Sequence, residues 1–322
     1  MSAAGPAFDP RVGLGRGLIL ANPIGVASGT FGFGFEAAAL AGISHLGAIF
    51  SKGTTRLARE GNQPPRIAET AAGMLNSIGL QNPGVEVVAR DYAPQWAEWP
   101  VPVLVNVAGA DISEYVAVVQ RLDGVSGVAG LELNISCPNI AHGLDFATEP
   151  GAAARCVAAV RSVTELPLVV KLSPNVTDIA EVARAVEDAG ADAVSAVNTY
   201  LGMKVALSSR RPVLPGLGAG GLSGPAIKPL ALAAVVRVRR AVAIPVIGIG
   251  GIASTSDALE FLVAGADAVQ VGTANFTNPQ ASREIVAGSL AYAEQHGLRR
   301  FADLRWQELD YPGAPETGAT SD

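Results

Sequence analysis

Two kinds of apolar pattern alternate along the chain. Short apolar runs mark strands, and longer stretches with apolar residues every three or four positions mark amphipathic helices. Residues 12–22 predict a hairpin with a Gly-Arg-Gly turn. A first core strand over 24–27 ends in Ser28, Gly29 and Thr30, and a small-residue helix follows around 36–41. A second strand over 46–51 ends at Lys52, Gly53, Thr54 and Thr55. The polar stretch 56–73 is too long for a routine connection and predicts an excursion over a functional face. Further strands are predicted over 103–107, the first half of 130–139, 168–172, 193–197, 245–249 and 268–271. Helices are predicted over 111–122, 150–163, 178–189, 226–240, 255–264 and 280–295. Asp111 and Glu114 have capping-box spacing, and Ile179, Val182, Ala183 and Val186 share one helix face that Gly190 closes. A second excursion, rich in glycine and proline, covers 200–224, and the tail from 308 predicts disorder.

An internal echo supports this parsing. Ala-Gly-Ala-Asp-Ala-Val occurs at 189–194 and again at 264–269, each time as helix end, tight turn and strand. The count is eight strand–helix units, and continuous apolar strands between amphipathic helices imply parallel strands buried on both faces. The expected fold is a (β/α)8 TIM barrel over 1–307, one domain with an N-terminal β-hairpin and excursions over the barrel mouth. A doubly wound open sheet is the alternative.

Composition narrows the class. With 49% hydrophobic and 16% charged residues over 322 positions, a large core is available. The net charge of −6 and the lack of a basic run argue against a nucleic-acid surface. No stretch reads as a membrane span or secretory signal. Cys137 and Cys156 are the two cysteines, too few for a disulfide framework or an iron–sulfur site, so a cytoplasmic setting and no metal are expected.

The strand ends carry the candidate chemistry. In a barrel of this kind the site lies where the strands end. Those ends hold Ser28, Lys52, Asn106, Asn134 with Cys137, Lys171, Asn198 with Thr199, Gly250 with Gly251, and Gly272 with Thr273. In 130–139, Leu131, Leu133 and Ile135 fall on one face and Glu132, Asn134 and Ser136 on the other, before a cysteine locked ahead of a proline. Cys137 is either a buried thiol or a reactive one. Asparagine donates and accepts, so three asparagines and two lysines suit a planar, amide-rich or anionic ligand. The glycines after strands seven and eight each precede a helix, where free N–H groups favour a phosphate. A phosphorylated cofactor across the mouth follows, and flavin mononucleotide (FMN) fits. Lys171 would then stabilise negative charge on the reduced ring, and Cys137 would serve as base or proton donor. Cys156 reads as a small apolar helix residue, His142 as a loop histidine, and His45 and His296 as structural.

The motifs at 22–32, 51–55, 76–84, 134–139, 197–199, 220–224, 248–252 and 271–273 together resemble dihydroorotate dehydrogenase, class 1. The likeness runs in order from about residue 12 to 295, and 73–86 is most like the class 1B catalytic subunit. It implies oxidation of (S)-dihydroorotate to orotate in pyrimidine (UMP) biosynthesis. Cys137 then matches the base that takes the C5 proton while hydride passes from C6 to FMN. Ser28, Lys52, Gly53, Asn106, Asn134, Lys171, Val197, Gly224, Gly250, Gly251, Gly272 and Thr273 match cofactor contacts. Lys52, Asn76, Ser77, Ile78, Gly79, Leu80, Asn134, Asn198 and Thr199 match substrate contacts. The resemblance also implies a homodimer core and an electron-transfer subunit carrying FAD and an iron–sulfur cluster. One departure falls at 142–147, where many relatives have a Gly-Gly…Phe-Gly pattern. The alternatives are a dihydropyrimidine dehydrogenase-like enzyme acting on uracil or thymine and a non-catalytic flavin- or phosphate-binding barrel.

Overall fold

The computed structural model describes residues 8–136, 146–215 and 218–307. Eight parallel strands close into a barrel in chain order: Ile24–Val26, Ala48–Phe50, Val103–Val107, Gly130–Asn134, Leu168–Leu172, Ala193–Ala196, Val246–Ile249 and Ala268–Val271. The last strand pairs with the first, Val269 opposite Ile24, which excludes the open sheet. Cys137 and His142, and the tail from 308, lie outside the described residues.

Strand periodicity divides the core. Leu131 and Leu133 point outward with Val103, Val105, Val170 and Leu172 into the layer packed by the helices. The intervening positions point inward. At the lower end of the barrel, Ala48, Phe50, Leu104, Val169, Ala193, Ile247 and Ala268 form a separate cluster with Leu14, Leu18 and Leu20 of the hairpin. The hairpin, Val12–Gly13 paired with Ile19–Leu20, is thus an apolar plug.

The helices follow their sequence signals closely. Ile112–Leu122 is capped by Asp111, which accepts from the Glu114 amide at 3.0 Å, while the Glu114 carboxylate accepts from the Ala110 amide at 2.7 Å. Ile179–Asp188 buries the four residues expected to face inward. The echoed motif does the same job twice. Asp192 accepts from the Leu168 amide and from Arg161, both at 2.9 Å. Asp267 accepts from the Val246 amide at 2.8 Å and from Arg239 at 3.3 Å. Each aspartate ties the start of the neighbouring strand to an arginine of the preceding helix.

Two elements went unread in the pattern. A helix occupies Val85–Val87 and Ala93–Trp96, joined by a widened turn over Val88–Tyr92. Pro94 lacks the N–H of regular helical pairing, and the wider turn absorbs the gap. The two excursions also prove to be one structure. Tyr200–Met203, Ala219–Ser223, Gly73–Asn76 and Ile67–Thr70 form a four-stranded antiparallel sheet in that order. Its central pairing sets Gly221 against Asn76.

Candidate active site

Following the inward positions up each strand, the side chains change character. Leu104 gives way to Asn106, Gly130 to Glu132 and Asn134, Val169 to Lys171, Ala193 to Ser195, and Ala268 to Gln270. Glu132 is fully buried. Its Oε1 accepts from Ser195 Oγ and Gln270 Nε2, both at 2.8 Å, and its Oε2 accepts from Asn106 Nδ2 at 2.7 Å. The Lys171 ammonium stands 3.8 Å from Oε2. A buried carboxyl group needs such company, since desolvation is costly without pairing.

Above this layer lies a cavity of about 840 Å³. Ser28, Lys52, Gly53, Asn106, Asn134, Lys171, Val197, Asn198, Thr199, Gly250, Gly251, Gly272 and Thr273 line it from the barrel. Asn76, Ser77, Ile78, Gly79, Leu80 and Gly224 line it from the mouth sheet and its connections. Every described residue expected at the site is therefore brought to one cavity. Cys137, the expected base, is outside the described residues.

Hydrogen bonds set which half of each asparagine faces the cavity. Asn106 commits its NH2 to Glu132, and its Oδ1, fully buried, has no partner. Asn134 Oδ1 accepts from Asn198 Nδ2 at 3.1 Å, which leaves the Asn134 NH2 as the offered group. Asn76 Nδ2 donates to the Gly221 carbonyl at 3.2 Å, so Asn76 offers an acceptor. Asn198 Oδ1 accepts from the Thr199 amide at 2.8 Å. Burial alone lowers the affinity of Lys52 for its proton. The left-handed backbone of Leu80, φ 56°, is held by Asn82, whose Nδ2 donates to the Leu80 carbonyl at 2.7 Å.

The phosphate expectation needs one correction. The helix after strand seven, Thr255–Val263, begins well past Gly251. Its N-terminus is satisfied internally: Ser254 Oγ accepts from the Asp257 amide at 3.2 Å, and the Asp257 carboxylate accepts from the Ala253 amide at 3.0 Å. That end carries an acid and offers little to an anion. Gly250 and Gly251 are needed first for the backbone. Both have positive φ, and a Cβ on either would lie 2.7 Å from the Cβ of Ala231 or Lys228. The short helix Ala274–Thr277 does start directly at Thr273, whose Oγ1 donates to Ser223 Oγ at 2.8 Å.

Several contributors were not anticipated. Glu132, Ser195 and Gln270 form the buried floor, and Asn175 anchors the cavity wall at Thr199 and Leu201. Asn175 donates to the Thr199 carbonyl at 3.0 Å and accepts from the Leu201 amide at 2.9 Å. The available signal was Glu132 itself, an acid between two leucines on the inward face of a strand. Elsewhere, Cys156 is fully buried and burial pushes its thiol up to about 12. His45 Nε2 pairs with Ser282 Oγ at 3.2 Å and His296 stacks on Tyr292, both away from the cavity. Among the described residues no cluster of His, Cys, Asp or Glu suits a metal, and no helix is long and apolar enough to cross a membrane.

The family model for dihydroorotate dehydrogenase matches residues 16–290. The chain is 53% identical over 289 residues to the dihydroorotate dehydrogenase B (NAD(+)) catalytic subunit of Pelobacter propionicus, covering 89% of this chain and 95% of that one. It is 52% identical over 288 residues to the subunit of the same name from Desulforamulus reducens, covering 89% and 94%. Among solved structures, DHODH from Eimeria tenella in complex with ferulenol aligns with a TM-score of 0.75 over 94% of this chain and 89% of that chain. At 21% identity that likeness is one of fold.

Proposed function

The chain belongs to the dihydroorotate dehydrogenase family, and on that premise we propose that it oxidises (S)-dihydroorotate to orotate with FMN as cofactor. The observation that carries this reading is the convergence of lysine and oriented asparagines on one cavity. The residues fit a flavin. Asn106 Oδ1 is a buried acceptor without a partner at the cavity wall, suited to an imide N–H. Thr273 and Gly272, at the start of Ala274–Thr277, would receive the phosphate with Gly224, and the Gly250–Gly251 turn would contribute backbone rather than a helix end. Bound FMN supplies a two-electron acceptor for a hydride from the substrate ring.

The chain's own residues do the rest. Lys52 supplies the positive charge for a substrate carboxylate, together with the backbone of Ile78, Gly79 and Leu80. Asn76 accepts from the substrate ring and Asn134 donates to it, as their fixed halves dictate. Lys171 places an ammonium beside the cofactor. Cys137, by its position in the sequence, takes the C5 proton. The mouth sheet covers the reacting ring and limits water.

Relatives named as catalytic subunits of an NAD(+) enzyme support a class 1B assignment. With Cys137 and Cys156 its only cysteines, the chain needs a second subunit, bearing FAD and an iron–sulfur cluster, to pass electrons to NAD. We place this in the cytoplasm, around a homodimer core.

The test is anaerobic mixing of the purified yellow protein with dihydroorotate and, separately, dihydrouracil. Rapid bleaching by dihydroorotate alone is expected, and Cys137→Ala should slow it strongly with FMN still bound. Bleaching by dihydrouracil alone would instead favour the dihydropyrimidine reading, and no bleaching by either a binding barrel. Co-purification of a FAD-containing partner supports class 1B; fast turnover of the lone chain with fumarate would refute it.

A further inference from the structure

The floor of the cavity has an organisation that the contacts to substrate and cofactor do not explain. Glu132 is fully buried, lies one layer below the cavity and is not part of its lining. Yet it touches two groups that do line it, Asn106 and Lys171. From these contacts we infer that Glu132 is a positioning residue: it fixes which end of the Asn106 amide faces the cofactor and supplies the countercharge that holds the Lys171 ammonium. The inference rests on the flavin reading above.

The chemistry is directional. An amide has one donating and one accepting end, and either can face upward. A carboxylate only accepts, so the Asn106 NH2 must turn down to Glu132 Oε2, at 2.7 Å. The Asn106 oxygen is then turned away from Glu132, to the side of Gly53 in the cavity wall, and it is the atom left without a partner. Ser195 and Gln270 occupy Oε1, so the carboxyl group cannot swing away from Asn106 without losing two hydrogen bonds. On the other side, Lys171 sits 3.8 Å from Oε2, with its side chain 7% exposed and that of Glu132 0% exposed. Removing the acid leaves a buried ammonium without its countercharge beside the cofactor.

Glu132→Gln separates these roles from packing, because the volume is unchanged. The new NH2 can keep Ser195 and Gln270 only by turning toward Asn106. Asn106 must then flip, offering a donor to the cavity where an acceptor stood. Two effects are expected in the full-length protein. FMN, titrated into flavin-stripped protein, should bind at least tenfold more weakly. The bound flavin should become easier to reduce, because a negative charge has gone: at a fixed dye potential its reduced-to-oxidised ratio should rise at least tenfold. Ser195→Ala, which removes one donor and leaves both Asn106 and the charge in place, should change neither by more than threefold.

A second substitution tests the direction of the amide. In the double variant Glu132→Gln with Asn106→Asp, the new carboxylate accepts from the glutamine and still shows an oxygen to the cavity. FMN affinity and reduced-to-oxidised ratio should return to within threefold of the parent. Unchanged affinity and ratio in Glu132→Gln would overturn the inference. So would failure of the double variant to recover, which also decides the matter should Glu132→Gln alone not fold. FMN uptake and bleaching by the parent report on the functional reading, whereas the variant-to-parent ratios report on Glu132. A parent that takes up no FMN would overturn the functional reading and this inference together.

Discussion

The lower and upper halves of the barrel interior are built on the same strands and obey opposite rules. Below, Leu104, Val169, Ala193, Ile247 and Ala268 meet the leucines of the hairpin in one apolar cluster. Two residues further up the same strands, Asn106, Lys171, Ser195 and Gln270 surround a buried acid. The lower half gains its stability from apolar burial, which is undirected. The upper half is held by hydrogen bonds that also orient what they hold. The lesson is that one step of the strand repeat separates a layer that holds the barrel shut from one that aims chemistry.

The comparison can be broken most forcefully in the lower layer. Leu104→Asn should destabilise the chain by about 4 kcal/mol, since it removes apolar packing and buries an unpaired amide. Urea unfolding should show the loss while flavin content per folded molecule stays constant. The reciprocal change, Asn106→Leu, removes one donor from Glu132 and should cost about 2 kcal/mol. Here flavin content should collapse well before stability does. If both variants lost stability and flavin in parallel, the two layers would not be functionally distinct.

A smaller effect lies at the rim, in pH. Burial lowers the Lys52 amine below its ordinary 10.5 in the folded chain. Between the folded value and 10.5 the unfolded chain holds more protons, so stability of the flavin-free protein should rise with pH across that interval. Below it the charged amine carries the full desolvation cost. Lys52→Met should abolish this rise and stabilise the protein at neutral pH, while substrate-dependent bleaching is lost. Unfolding curves taken from neutral pH to above 10 check the sign. The smallest effect belongs outside the barrel interior. Cys156→Ala should cost about 1 kcal/mol and leave bleaching intact. With its thiol pushed up to about 12, Cys156 should resist alkylation in the native protein, so native labelling should fall on Cys137 alone.

Much of this was legible in the chain because strand and helix periods are local. The alternation of Leu131 and Leu133 with Glu132 and Asn134 assigns faces without reference to any other strand. The aspartates at 111 and 178 announce their helices in the same local way. What stayed hidden depends on partners distant in sequence. Glu132 reads as one more polar residue until Ser195 and Gln270 are seen to meet it, 63 and 138 positions away. The helix around Val85–Trp96 was masked by Pro94, which a widened turn accommodates. The phosphate wall was assigned to two helix ends, although one of them is closed by its own serine and aspartate.

The antiparallel sheet over the mouth carries a further consequence, for the time course of folding. Its central contact joins Asn76 to Gly221, 145 residues apart. Closing a loop of that size by itself is entropically expensive, and the pairing is repaid only when the strands between have assembled. The sheet over the mouth therefore belongs to the late part of the folding reaction. In a nascent chain Asn106 and Glu132, on adjacent strands, can meet well before the roof forms, whereas the floor is completed only when Gln270, 138 positions from Glu132, arrives. Premature chain termination before residue 219 would leave the roof without its central strand, whatever the state of the barrel beneath.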